Sequence, residues 1–397
     1  MWLYHAFVQS AAVTGLNLRT ITQRLPSSAV AVVGMAGVVA VFVAVLSMGE
    51  GFRATMANTG SEDTAIVMRS GADAEVTSIL LPEDIDVITD AEEIAREESR
   101  PLASAELLVI LDLVKDSTGT TGNAGLRGVE PVAFKVRNVS MAEGRMFVPG
   151  RNEVVVGRGA LREYRGLSIG STLRVGRTDW KVVGTFDAGG TVPDSELWCD
   201  ANVLAPLYER GPSRQAVYAK LRSSGEFTSF KDRLTTDPRV KLKVMREREY
   251  YESQARFVHS LITRLGSIIA LLMGIGAVFA AVNTMYSAVA ARTREIATLR
   301  ALRFRAAPVM VSVLVESMLL ALAGGAAGAA IAYLGFNGFQ AATMNWQSMS
   351  TIAFAFRVTP GLLVQGLAYA LVLGLIGGLL PAIRAARLPV VVALREL

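Results

Sequence analysis

Leu25-Pro-Ser-Ser-Ala-Val-Ala-Val-Val-Gly-Met-Ala-Gly-Val-Val-Ala-Val-Phe-Val-Ala-Val-Leu-Ser-Met-Gly49 carries no charged side chain. A run of roughly 20 apolar residues crosses a hydrocarbon core of ~30 Å as a helix. Only helices and closed barrels satisfy their backbone there. Three more runs lie downstream. One is about Leu265–Ala291, a second begins near Ala306 and is broken only by Glu316 before Arg357, and a third is about Val358–Ile383. The run from Ala306 is too long for one crossing, and its later part, Asn337–Ser350, turns polar and reads as an outer loop. About two hundred mostly polar residues separate the first run from the second. One span, a large inserted domain and three further spans is the layout this pattern predicts.

Composition agrees. The chain of 397 residues is 51% apolar and 19% charged, with a mean hydropathy of +0.39. A net charge of +5 would otherwise raise nucleic acid as a partner, but here the placement of charge matters more. Arg19 and Arg24 precede the first span, and Arg292, Arg294, Arg300, Arg303 and Arg305 crowd the short loop after the second. Arg384, Arg387 and Arg395 follow the last span, while the loop between the third and fourth offers only Arg357. The positive-inside rule puts both termini and the Arg-rich loop in the cytoplasm, and the large domain outside. The first span is too long for a signal-peptide core and lacks a small-residue cleavage site, so it is expected to stay as an anchor. Trp2–Ile21 reads as a weakly amphipathic interfacial helix.

The outer domain reads as strand–helix–strand at its two ends (60–112 and 214–248) around a β-rich insertion (125–210) expected to be all β. Leu107–Val114 is expected to be a buried strand and Thr118–Gly125 an exposed loop. No catalytic set emerges. Asp187, Asp194, Glu196 and Asp200 lack the ligand spacing of a calcium loop, and Ser195 has no nucleophile elbow or nearby histidine. The single cysteine, Cys199, excludes an intrachain disulfide. His5 and His259, the only histidines, flank the domain, so no Cys/His zinc set exists.

The membrane half carries sharper signals. In Val282-Asn-Thr-Met-Tyr-Ser-Ala-Val-Ala-Ala-Arg-Thr-Arg-Glu-Ile-Ala-Thr-Leu-Arg-Ala-Leu-Arg-Phe304, helical spacing puts Ile296, Leu299 and Leu302–Arg303 on one stripe. A short helix at the cytoplasmic surface would offer that stripe to a partner groove, with Arg294, Arg300 and Thr298 elsewhere around it and Arg292 and Glu295 as further coupling candidates. Glu316 lies about two turns into the third span, where a carboxylate is costly. It is expected to pair with a nearby Arg or a polar group such as Asn283, or to serve substrate or proton handling. Gly324–Gly328 and Gly374–Gly378 have the spacing of close helix packing, within one subunit or between two.

The run Asn283–Phe304 resembles the coupling loop of MacB-like and FtsX-like ABC transporter permeases, the type VII family that includes lipoprotein-releasing permeases. Similar to that family too are Leu380-Pro-Ala-Ile-Arg-Ala-Ala-Arg-Leu-Pro389, Ala393-Leu-Arg395 and Glu50-Gly-Phe52. In the outer domain the resemblance rests on Gly128-Val-Glu-Pro131, Glu143-Gly-Arg145, Glu153-Val-Val155 and Val183-Gly184. Gly often follows Leu-Arg-Ala-Leu in the family, and Arg303 in its place implies a longer coupling helix.

The resemblance implies a membrane α-helical fold, four transmembrane helices in a 1+3 arrangement, with a large α+β periplasmic domain inserted between helices 1 and 2. The expected segments are an interfacial helix 1–25, spans 26–49, 258–291, 306–336 and 358–383, a periplasmic core domain 50–256 with a porter-like part, a coupling segment 292–305, a periplasmic loop 337–357 and a tail 384–397. It also implies the permease subunit of an ABC transporter in the bacterial inner membrane. ATP and Mg would be bound by a partner ATPase, because no G-x-x-x-x-G-K-[ST] cradle occurs in this sequence and about 25 residues before the first span leave no room for a fused one. Expected partners are that cytoplasmic ATPase, a second permease copy or a related permease, membrane lipids, and a periplasmic adaptor or lipoprotein, with no nucleic acid. The chain itself is expected to hold no cofactor or metal and to catalyse nothing. Alternatives are an FtsX-like regulator that activates a periplasmic cell-wall hydrolase and a membrane-anchored periplasmic enzyme.

Overall fold

The computed structural model describes residues 14–15, 25–302, 304, 306–345 and 347–387. The chain divides into two units. One takes Ser260–Phe339, the chain up to Glu50 and the chain from Phe356; the other takes Gly51–His259 and Gln340–Ala355. All but three residues of the expected interfacial helix 1–25, and the tail beyond 387, lie outside the described residues.

Four described helices are long and apolar enough to cross a membrane. They are α1 (Leu25–Ala57), α7 (Glu247–Ala291), α9 (Ala306–Phe336) and α10 (Pro360–Ala386). α1 continues eight residues past the expected end at Gly49, and α7 begins well before residue 258. Neither extension contains a proline, and Glu247 and Glu249 in the first turn of α7 suit the positive end of a helix dipole.

In the first unit the glycine pairs face neighbours in the same chain. A Cβ on Gly324 would lie 2.7 Å from the carbonyl oxygen of Val32 in α1, and one on Gly328 would meet that of Ala36. Gly374 approaches Ala321, and Gly378 approaches Ser317, so α9 and α10 also meet closely. Ser317 Oγ donates to Gly374 O at 2.7 Å across that contact. Tyr369 OH donates to Ala270 O at 2.5 Å, tying α10 to α7, and its ring stands 4.8 Å from that of Phe42.

The second unit is built on one sheet of ten strands. Along the chain these are β1 (Thr64–Arg69), β4 (Ala103–Val114), β5 (Thr121–Val129), β6 (Ser140–Gly144), β7 (Glu153–Gly157), β8 (Thr172–Val175), β9 (Thr178–Asp187), β10 (Glu196–Asp200), β11 (Ala216–Lys220) and β12 (Leu242–Arg246). Their spatial order is β12-β1-β11-β4-β5-β10-β7-β9-β6, with β8 on β9. β2 (Arg96–Glu97) and β3 (Arg100–Pro101) form a separate small hairpin. The two expected parts share this sheet through β4. Its residues Ala103–Glu106 pair with β11, and its residues Leu107–Val114 pair with β5.

Over the β11 half pack α2 (Pro82–Thr89) and α6 (Phe227–Thr236), whose Ile88, Phe230 and Leu234 bury against Val67, Val217 and Val244. The other half buries Leu126, Val154, Trp180 and Leu197 on one face and Phe134, Phe186 and Trp198 on the other. Full burial of a side chain such as Phe186 contributes roughly 1.5–3 kcal/mol.

Two expectations for this middle segment are corrected. It is not all β: α3 (Ala133–Val136), α4 (Arg158–Glu163) and α5 (Ala201–Leu207) interrupt it. The expected loop Thr118–Gly125 is strand from Thr121, because pairing with β4 extends to Val114↔Thr121. Residues 337–357 are not merely a loop either. β13 (Gln340–Asn345) and β14 (Ser350–Ala355) form a hairpin within the second unit. Asn345 Nδ2 donates to Gln254 Oε1 at 2.6 Å, Ala353 N to Ser195 Oγ at 2.9 Å, and Asn123 Nδ2 to Met349 O at 3.0 Å.

Candidate functional site

The short segment after α7 forms a helix, α8 (Thr293–Ala301). α7 ends at Ala291 and the chain turns at Arg292, whose carbonyl accepts from Ile296 N at 3.0 Å to start the new helix. The Arg292 side chain reaches into the bundle. Its Nη1 donates to Glu316 Oε2 at 2.8 Å and its Nη2 to Glu316 Oε1 at 3.0 Å. The side chains are 4% and 6% exposed, so the fork is a desolvated, bidentate pair. This is the partner that a carboxylate at this depth requires. Asn283 is not involved; it is exposed on α7, and its carbonyl accepts from Ser287 Oγ.

The other end of α8 is also held: Arg300 Nη1 donates to Ala386 O, at the last turn of α10, at 2.8 Å. Between these ties, Ile296 and Ala297 are buried. Ile296 packs with Val289, Val309, Val313, Ala382 and Ala385. The expected outward apolar stripe is therefore corrected at Ile296, which bonds α8 to its own bundle. What the helix exposes is Arg294, Glu295, Thr298 and Leu302, the last at 67%. The Leu299 side chain and Arg303 lie outside the described residues. Beside the helix, the Arg384 guanidinium stands 5.2 Å from the Tyr286 ring.

The outer carboxylates noted in the sequence have structural partners. Asp194 accepts from Ala188 N at 2.7 Å and Gly190 N at 2.5 Å, and burial raises its pKa. Asp200 caps α5 through Asn202 N at 2.9 Å and accepts from Gly150 N at 2.6 Å. Asp187 pairs with Arg158. Cys199 is buried, and burial pushes its thiol well up, which disfavours a nucleophilic thiolate. Among the described residues no three Asp, Glu, His or Cys side chains converge to hold a metal.

Four apolar helices, a sheet-rich insertion after the first and a pinned surface helix after the second define a permease-type membrane subunit. Residues 28–237 match the MacB-like periplasmic core domain and residues 267–390 the FtsX-like permease C-terminal domain. The chain belongs to the MacB-like, FtsX-like family of ABC transporter permeases.

Among curated relatives, the pyoverdine export ATP-binding/permease protein PvdT of Pseudomonas savastanoi pv. phaseolicola is 36% identical over 143 residues, 36% of this chain and 20% of that protein. The macrolide export ATP-binding/permease protein MacB of Bdellovibrio bacteriovorus is 22% identical over 301 residues, 69% of this chain and 44% of that protein. The chain thus spans less than half the length of these two relatives. Among solved structures, the periplasmic region of MacB from Actinobacillus actinomycetemcomitans aligns with a TM-score of 0.37 at 14% identity, covering 49% of this chain and 93% of that one.

Proposed function

We propose that this chain converts ATP binding and hydrolysis on a separate cytoplasmic ATPase into motion of its periplasmic domain, for export or extraction of a periplasmic or membrane-associated substrate. The observation that carries this reading is α8. It is tied to α9 by the Arg292–Glu316 fork and to α10 by Arg300, while Arg294, Glu295, Thr298 and Leu302 stand exposed. A helix held this way moves with its bundle when a partner pushes on its outer face. The Arg distribution supports placing α8 and both termini in the cytoplasm. A partner ATPase accords with the relatives' description as ATP-binding/permease proteins.

Co-purification tests the reading. The wild-type chain is expected to bring an ABC ATPase out of the membrane. Arg294→Ala combined with Leu302→Ala is expected to abolish that association without lowering the melting temperature, since neither side chain is buried. Recovery of no ATPase with the wild type, or undiminished ATPase-dependent function in the double variant, would overturn it.

A further inference from the structure

A second buried charge cluster lies in the sheet domain. Its centre is Glu106, the last residue of β4 paired with β11 before the strand changes partner to β5. Arg127 of β5 forks onto Glu196 of β10 at 2.9 and 2.8 Å. The same guanidinium reaches Glu75 at 2.5 Å and Glu106 Oε2 at 3.1 Å. Arg137, just after α3, contacts Glu106 Oε2 at 3.4 Å. Its other nitrogens donate to Glu247 Oε1 at 3.2 Å and Tyr251 OH at 2.6 Å, both in the first turns of α7. Tyr218 of β11 donates to Glu75 Oε1 at 2.8 Å, and Tyr250 OH accepts from Glu75 N at 3.2 Å. The cluster therefore joins both halves of the sheet to the start of α7.

Its charges do not balance. Four buried carboxylates, Glu75, Glu106, Glu196 and Glu247, face two guanidiniums. Full ionisation would leave two negative charges uncompensated where desolvation is severe. Glu106 Oε1 is buried and has no hydrogen-bond partner among the described residues. A proton there relieves one charge and leaves both Arg contacts, which fall on Oε2, in place.

We propose that Glu106 is a positioning residue that holds one exchangeable proton on Oε1, and that this proton sets how firmly the start of α7 is held against the sheet. With the proton bound, the neutral Glu106 draws on Arg137 only weakly, and the guanidinium's charge serves Glu247 and Tyr251. Without it, the Glu106 carboxylate competes for Arg137 and repels Glu247 and Glu75, and the first turns of α7 loosen. Burial, the largest influence, pushes Glu106 up to about 7 despite both guanidiniums, so the switch falls near neutral pH.

The test uses the full chain in lipid nanodiscs. Infrared titration from about pH 5 to 9 is expected to show a protonated-carboxyl C=O band that disappears as pH rises. The band should be lost in Glu106→Gln and moved in frequency in Glu106→Asp, which keeps the carboxyl should the Gln variant not fold. Hydrogen-exchange protection of amides 247–256 is expected to drop severalfold across the same range in the wild type and to stay level in Glu106→Gln. Absence of a titrating band in the wild type, an unchanged band in both variants, or an identical protection profile in Glu106→Gln would overturn the proposal. These readouts need no ATPase, so their failure is separate from failure of the transport reading.

Discussion

At the scale of single residues, each buried charge cluster turns on one carboxylate, Glu316 in the bundle and Glu106 in the sheet domain. Arg292→Ala leaves Glu316 ionisable and unpaired inside the bundle. Breaking a buried pair in this way costs about 3–5 kcal/mol, so a large fall in detergent melting temperature is expected. Arg292→Lys should recover only part of it, since an ammonium cannot reproduce the two parallel bonds. Glu106 predicts a pH slope. Its folded-state pKa is raised from 4.5 to about 7, so the folded chain keeps a proton that the unfolded chain releases. Stability is then fully present below pH 4.5 and is lost as pH rises through 7, by about 3 kcal/mol in total. Melting temperature should fall over that window, and Glu106→Gln should flatten the fall. The sequence marked Glu316 as needing a partner because a carboxylate stood alone in an apolar run. It gave no sign of Glu106, whose partners Arg127 and Arg137 touch it only once the sheet has formed.

At the scale of elements, what composition could announce was announced. The four spans follow long apolar runs, with Glu316 the one charge inside the third, and the buried strand expected over Leu107–Val114 is the part of β4 that pairs with β5. The β13–β14 hairpin reads as a loop in the sequence because Asn337–Ser350 turns polar. Its stability comes from distant groups, Asn123, Ser195 and Gln254. Asn345→Ala should therefore cost about 1–3 kcal/mol by stranding the buried Gln254 amide, visible as faster proteolysis within 340–355. The glycine spacing was legible, but not which helices it joins. Gly324→Leu is expected to destabilise by about 1–3 kcal/mol, since backbone atoms of α1 block the new side chain. Gly335→Ala, with nothing within 4 Å of its new Cβ, should be neutral or better in the same melting assay.

At the scale of the whole molecule, the close-packing glycines are used up inside one chain, so a second copy would need another surface. α7 offers one. Leu265, Ile268, Leu272, Ile275 and Phe279 are 48–71% exposed, and their spacing of three and four residues is that of a coiled-coil seam. A second permease copy is among the partners expected from the sequence, and this repeat gives a surface on which to test for one. The chain suits a direct test because Cys199 is its single cysteine and is buried. In a Cys199→Ala background, Leu272→Cys or Ile275→Cys in native membranes should give a disulfide-linked dimer on mild oxidation. Val364→Cys on α10, equally exposed at 65% but off the seam, should stay monomeric. Equal cross-linking at all three positions would mean random collision in the bilayer. None at 272 or 275 would leave α7 facing lipid, and a partner would have to seat elsewhere.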